Sequence, residues 1–268
     1  MTATKKDVHD FWNAASCGEA LYLDPAAADK YQQQARIRYE LEPYIPGFAD
    51  FAGSKGRRVL EIGVGLGADH QRFAEAGAVL AGIDLTERAV EHTRGRLASL
   101  GLASNITVGD AEALPFPANS FDIVYSWGVL HHSPDTPRAI AEVYRVLSPG
   151  GTARIMIYHT WSLIGLMLWI RYGLLQMRPW RSLASLYAEH LESPGTKAYT
   201  IAEAKDLFRA FRDVKIRTVL THGDLLSSDA GQRHRGMLLT LARRVWPRRL
   251  FERFFPWAGL FMLIEARK

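Results

Sequence analysis

Nothing in this chain constrains its fold more than the run Val59-Leu60-Glu61-Ile62-Gly63-Val64-Gly65-Leu66-Gly67. An apolar stretch ends in an acid and passes at once into a glycine-rich turn. A buried parallel strand delivers the backbone to a nucleotide-like ligand in this way. Glycines let the turn close tightly and approach a ligand where a Cβ would clash. Gly63, Gly65 and Ala68 also satisfy the dinucleotide pattern G-x-G-x-x-G/A, and Asp84 follows about 20 residues on, where a ribose-binding acid belongs. The turn alone therefore specifies an adenosine-type ligand on an open, mostly parallel sheet and leaves the chemistry open.

The rest of the chain supplies the elements of such a sheet. Arg58–Ile62, Val79–Ile83, Ile106–Val108, Phe121–Ser126 and Thr152–Tyr158 read as strands. Ala68–Glu75, Glu87–Ser99 (stopped at Gly101) and Thr136–Val146 (closed by Pro149-Gly150-Gly151) read as helices. This βαβα alternation implies a parallel sheet covered by helices on both faces. Residues 7 to 50 read as helical, with Phe11, Trp12, Leu21, Tyr22 and Tyr39 as apolar anchors. After Tyr158 the pattern breaks into a strongly apolar segment, Trp161–Met177, and Arg178-Pro179-Trp180-Arg181. Order returns with a helix Ile201–Phe211, a strand Val214–Leu220 and a final apolar run Leu260–Ala266.

An apolar share of 48% is enough for a real core and excludes a disordered chain. One cysteine, Cys17, excludes an internal disulfide framework and a multi-cysteine zinc site, and no metal is expected. The first residues lack the apolar stretch of a secretory signal, so a cytoplasmic location is expected. The net charge of +5 is modest but uneven. Arg233, Arg235, Arg243, Arg244, Arg248, Arg249 and Arg253 crowd one C-terminal region, suited to phosphates or an anionic membrane surface.

Signals further along separate the adenosine readings. Gly109-Asp110-Ala111-Glu112 follows the third strand, where a carboxylate and a backbone amide can read an adenine edge. Leu114-Pro115-Phe116-Pro117, Phe121-Asp122-Ile123-Val124, Trp127-Gly128-Val129-Leu130-His131-His132 and Arg145-Val146-Leu147-Ser148-Pro149-Gly150-Gly151 follow in order. Together with the glycine turn, these motifs over residues 57 to 158 resemble the class I S-adenosylmethionine-dependent methyltransferases, in the branch containing ubiquinone, sterol and small-molecule methyltransferases.

The resemblance implies an α/β fold: a Rossmann-like, doubly wound, mostly parallel seven-stranded sheet. Its C-terminal strand is antiparallel, with Leu260–Ala266 inserting beside Val214–Leu220. It implies that Glu61, Gly63, Gly65 and Gly67 surround the methionine part of S-adenosylmethionine, whose product is S-adenosylhomocysteine. Asp84 takes both ribose hydroxyls, and Leu85 walls the adenine. Asp110 accepts the exocyclic amine, Ala111 offers a backbone amide, and Trp127 faces the methionine side. The chain then divides into a helical lid (1–52), a cofactor-binding core (53–158), a helical insertion capping the acceptor site (159–212) and the C-terminal strands (213–268).

A methyl acceptor that must lose a proton needs a base, and His131, His132 and His159 lie at the carboxyl ends of strands, where open α/β sheets bind ligands. Phe11–Glu19 is expected to fold over the cofactor, and Tyr22, Tyr39, Tyr158 and Trp161 to line the acceptor site. Trp161–Met177 carries Arg171 and is short for a span, so a core-packed or interface-lying helix is expected. It would form an apolar acceptor pocket, a homodimer face or a peripheral membrane contact on the inner face. The expected acceptor is a small lipophilic or aromatic molecule, methylated on oxygen or carbon. RNA or protein methylation is the alternative, although no aromatic-basic RNA motif accompanies the basic C-terminus and nucleic acid is not the expected partner. A fold member repurposed for other chemistry or for regulatory cofactor binding is the remaining reading.

Overall fold

The computed structural model describes residues 3–24, 26–228, 240 and 243–268. Seven strands form one sheet in the order β3-β2-β1-β4-β5-β7-β6. They are β1 (Arg58–Ile62), β2 (Val79–Asp84), β3 (Asn105–Val108), β4 (Phe121–Trp127), β5 (Leu147–Tyr158), β6 (Arg212–Val219) and β7 (Phe261–Arg267). The first five pair in parallel, whereas β7 runs antiparallel to both β5 and β6. The strand order reverses at β1 and β4, which opens a crevice beyond their carboxyl ends.

Local sequence explains the elements that flank this crevice. β1 is buried over Val59–Ile62, so its side chains must be apolar on both faces, and Glu61 stands out as a buried acid. The helices α5 (Ala68–Glu75), α6 (Glu87–Ser99) and α7 (Thr136–Val146) cover the sheet. In α7, Asp135 caps the Arg138 N–H at 3.0 Å, and Ala139, Ile140, Val143 and Val146 face the core at helical spacing. Each buried Ile or Val contributes roughly 1.5–3 kcal/mol before the entropy of ordering is set against it.

A strand and a helix near the sheet differ from the sequence reading. β5 begins at Leu147, before the Pro-Gly-Gly turn. Phe121 pairs with Leu147, the register then slips, and the slack is taken up by Gly150 at φ 78°. The Gly150 N–H donates to the Lys268 carbonyl at 3.0 Å, and the Lys268 N–H donates to the Gly151 carbonyl at 3.0 Å, so the turn is held by the residue that follows β7. The helix expected to reach Phe211 stops at Leu207, because Phe208 and Phe211 turn inward to the core.

The N-terminal region holds α1 (Lys5–Ala14), α2 (Glu19–Tyr22), α3 (Lys30–Leu41) and α4 (Ile45–Ala49). α4 buries Ile45, Phe48 and Ala49 against the sheet, so the end of the predicted lid is part of the core. After β5 come α8 (Leu163–Trp169), which continues into a π turn over 170–174, then α9 (Leu183–His190), α10 (Ile201–Leu207) and α11 (Arg248–Phe254). Gly165 lets α8 approach α9, since a Cβ there would lie 2.4 Å from the Tyr187 hydroxyl. α10 sends Ala204 into the same core as β5 and β7, so this helix packs with the sheet. Among the described residues no helix is long and apolar enough to cross a membrane. Arg233 and Arg235 lie outside the described residues.

Candidate active site

A cavity of about 600 Å³ opens where β1, β2, β4 and β5 end. Glu61, Gly63, Gly65, Gly67, Asp84, Leu85, Asp110, Ala111 and Trp127 all line it, together with Tyr22, His132 and Tyr158. Four further residues singled out by sequence do not. Trp161 is 60% exposed. Tyr39 turns behind the wall and donates its hydroxyl to Asp69 at 2.9 Å. His159 is buried, with Nδ1 on the Gly259 carbonyl at 3.2 Å. His131 is buried against Tyr158, ring centroids 3.9 Å apart, and burial drives its pKa well below the ordinary imidazole value. His131 and His159 thus lie outside the cavity that His132 lines, although all three follow strand ends.

The glycine turn has a steric cause. A Cβ on Gly63 would lie 2.0 Å from Val129 Cγ2, and its φ is +83°. Gly65, at φ +51°, has open space where its Cβ would stand, so the backbone there is bare toward the cavity. Asp84 Oδ2 accepts the Gly65 N–H at 3.1 Å, while Oδ1 accepts the Thr86 N–H and hydroxyl at 3.0 and 2.9 Å. The helix cap of α6 is Thr86, so Asp84 is not the capping residue. Burial pushes the Asp84 carboxyl up, against the pull of these donors. Its side chain is therefore aimed before any ligand arrives.

Glu61 belongs to a buried chain of polar groups. Ser104 donates its hydroxyl to the Leu80 carbonyl at 2.9 Å, so it accepts from His70 Nε2 at 2.8 Å. The neutral imidazole is then an acceptor at Nδ1, where Glu61 Oε2 lies at 2.8 Å and donates as a carboxylic acid. Burial agrees with this assignment, since it holds His70 down to about 3 and pushes Glu61 well up. The wall beside them is made by Asp69, which accepts from Arg38 at 2.7 Å, Tyr39 at 2.9 Å and Tyr125 at 2.8 Å. Burial raises the Asp69 carboxyl, but the Arg38 guanidinium and these donors outweigh it and keep the group ionised.

The lid closes one end. Lys5 of α1 reaches Asp110 at 2.5 Å and Glu112 at 2.8 Å, and Arg88 of α6 holds Glu19 at 2.6 Å. Trp12 packs edge-on against His132, centroids 5.3 Å apart. Asp110 is thus an acceptor that already takes an N–H donor in this structure, which fits a role toward an exocyclic amine. The bare backbone at Gly65 and the two pre-aimed acids together fit an adenosine-type cofactor.

At the other end, Thr196 donates to the Ser193 carbonyl at 2.7 Å and so accepts from His132 Nδ1 at 3.2 Å, with Ser193 Oγ also 2.8 Å from that nitrogen. Nε2 is left facing Glu192 Oε2 at 3.3 Å, and Tyr158 donates its phenol to the same oxygen at 2.7 Å. A proton arriving between Nε2 and Oε2 would satisfy both groups. Glu42 also lines the cavity; burial pushes its carboxyl up to about 7, with Arg38 at 3.2 Å pulling the other way. Cys17 lines the cavity as an exposed free thiol. One ligating atom from each of His131, His132 and Glu192 lies within 4.8 Å of the others. Glu192, Asp69 and Lys5 escaped the sequence reading because each depends on a partner distant in sequence, and Glu42, whose partner Arg38 is one helical turn away, because it sits in no motif.

Residues 60–155 match the family model described as a methyltransferase domain. The chain is 34% identical over 133 residues to 27-O-demethylrifamycin SV methyltransferase of Amycolatopsis mediterranei (strain S699), covering 48% of this chain and 47% of that one. It is 37% identical over 100 residues to cycloartenol-C-24-methyltransferase of Arabidopsis thaliana, covering 35% and 29%. It spans about half or less of the length of these curated relatives. Among solved structures it resembles the [4+2]-cyclase SpnF with a TM-score of 0.60 over 100% of this chain and 97% of that one; at 16% identity the likeness concerns the fold alone.

Proposed function

We propose that this chain, a member of the class I S-adenosylmethionine-dependent methyltransferases through its residues 60–155, methylates oxygen or carbon of a small lipophilic acceptor. The observation that carries this reading is a single cavity with two ends. Asp84, Asp110 and the bare turn at Gly65 make a cofactor end, and His132, Glu192 and Tyr158 make a proton-handling end.

When bound, S-adenosylmethionine supplies a sulfonium-activated methyl group for in-line displacement. Gly63 to Gly67 would hold the methionine part, Asp84 the ribose and Asp110 the adenine amine. The lid then excludes water, with Lys5 and Arg88 as its fastenings. The His132–Glu192 pair takes the proton of the acceptor: the acceptor atom gains the methyl group, its proton passes to the pair, and S-adenosylhomocysteine remains. His132 is oriented for this by Thr196 and Ser193, and Tyr158 keeps Glu192 in place. Positioning of reactants and a general base together account for several kcal/mol of barrier lowering. Cys17 needs no part in it, since no covalent enzyme intermediate is required.

The acceptor is lipophilic on this reading because Trp12, Leu21, Ile164, Met167 and Leu168 line the cavity. The exposed apolar stretch over 161–180 then serves a partner, either a membrane or a second copy of the chain, and charge decides between them.

Calorimetry with S-adenosylhomocysteine tests the cofactor end. Asp84→Ala is expected to weaken binding by about 100-fold, the loss of two hydrogen bonds to a charged acceptor. Equal affinity in the variant overturns the ribose assignment. Incubating cell lipid extract with isotopically labelled methyl donor then identifies the acceptor.

A further inference from the structure

Three strand ends meet at one edge of the sheet, since Tyr158 of β5 and Val219 of β6 both pair with Phe261 of β7. Two stretches spring from that edge with an unusual common composition. Residues 161–181 carry Arg171, Arg178 and Arg181 and no acid; residues 243–257 carry five arginines and one acid, Glu252. Both also place large apolar side chains in water. Met177 is 82% exposed and Trp180 78%, while Phe254 and Trp257 are 62% and 56% exposed.

The two stretches are fastened to each other. The Leu163 N–H donates to the Ala258 carbonyl at 2.9 Å. Asp224 takes the Ile164 N–H at 3.2 Å on its carboxylate and the Trp246 indole N–H at 2.9 Å on its carbonyl. They also frame the cavity, which is lined by Met167, Ile170 and Leu175 from the first stretch and Trp246 from the second. Leu175 lines the cavity and is 60% exposed, so the cavity wall runs out into the apolar, arginine-rich face.

We propose that this face docks on an anionic lipid bilayer and that the acceptor passes between bilayer and cavity beside Leu175. The proposal rests on the reading of the acceptor as lipophilic, and it names where such a molecule enters. Tryptophan, phenylalanine and methionine side chains suit the boundary between headgroups and acyl chains, and arginines suit an anionic surface. A second copy of the chain fits less well. A self-complementary contact would set the exposed Arg178, Arg244, Arg249 and Arg253 of one copy against the same four of the other, with Glu252 the one acid in the two stretches to offset them.

The test uses the full chain with vesicles of phosphatidylcholine alone and of phosphatidylcholine with phosphatidylglycerol, alongside calorimetry with S-adenosylhomocysteine on the same preparation. Sedimentation with the anionic vesicles is expected at low salt, with loss in molar salt. The Met177→Ser/Trp180→Ser double variant is expected to sediment at least tenfold more weakly while binding S-adenosylhomocysteine as the parent does. An anionic lipid with a photoactivatable acyl chain is expected to label Met167 or Ile170 inside the cavity. Equal binding to neutral vesicles, no binding to either kind, labelling confined to the outer face, or a dimer that the double variant dissolves each overturns the proposal. A chain that binds vesicles but not S-adenosylhomocysteine instead overturns the reading of the cofactor end.

Discussion

The two ends of the cavity are built by different means. At the cofactor end the backbone dominates: Gly63 has no room for a side chain beside Val129, and Asp84 is fixed by N–H groups two and nineteen residues away. At the acceptor end side chains dominate, and they come from distant segments: His132 after β4, Tyr158 ending β5, Glu192 after α9 and Trp12 from the lid. A backbone-built site tolerates little change and serves one ligand. A side-chain-built site can be remade by exchanging residues on loops, which is how one scaffold comes to serve many acceptors.

The contrast can be broken most severely at the turn. Gly63→Val sets a side chain against Val129 and into a left-handed conformation, and is expected to cost on the order of 3 kcal/mol of stability. Urea unfolding measures it, and a variant as stable as the parent removes the steric account. Glu192→Gln sharpens the contrast from the other side. It is expected to lower kcat by about 100-fold and leave affinity for S-adenosylhomocysteine within twofold, with EDTA without effect on the parent. A loss of activity in EDTA that zinc restores would assign His131, His132 and Glu192 to a metal instead.

Asp224, which fastens the two outer stretches, gives a smaller effect with a definite sign. Burial raises its carboxyl from 3.8 to about 6 against the pull of the Leu260 and Thr221 donors. A carboxyl raised in the folded state binds its proton more tightly there. Its stabilising contribution is fully present below about 4 and is lost as pH rises through about 6. Local opening at the Ile164 and Leu260 amides is therefore expected to cost about 2 kcal/mol more at pH 4.5 than at pH 7.5. Hydrogen exchange, corrected for intrinsic rates, reads this; a cost that does not change with pH excludes Asp224 as the cause.

The same division explains what could be read from the sequence. The parallel strands and the residues of the glycine turn follow from local pattern, because period, glycine placement and strand-end acids are properties of short windows, whereas the antiparallel β7 was legible only through the family resemblance. The lid was legible as helices but not in its fastening, since Lys5 meets Asp110 across more than a hundred residues. Among the histidines only geometry separates His132 from its neighbour His131, because adjacent residues in a 3₁₀ turn point in different directions. Trp161–Met177 reads as one apolar helix, yet Gly165 lets it pack closely on Tyr187, Gly173 sits against Trp169 of the preceding turn, and the segment forms a seven-residue helix followed by a π turn.

The chain of Glu61, His70 and Ser104 has a thermodynamic consequence for binding. A buried carboxylic acid that must meet a cationic ligand ordinarily has to release its proton to solvent, and affinity then rises with pH. His70 does not take that proton, because burial holds its imidazole down to about 3. A cationic amino-acid moiety bound against Glu61 would therefore displace the proton into water, and its binding enthalpy would change with the ionisation enthalpy of the buffer.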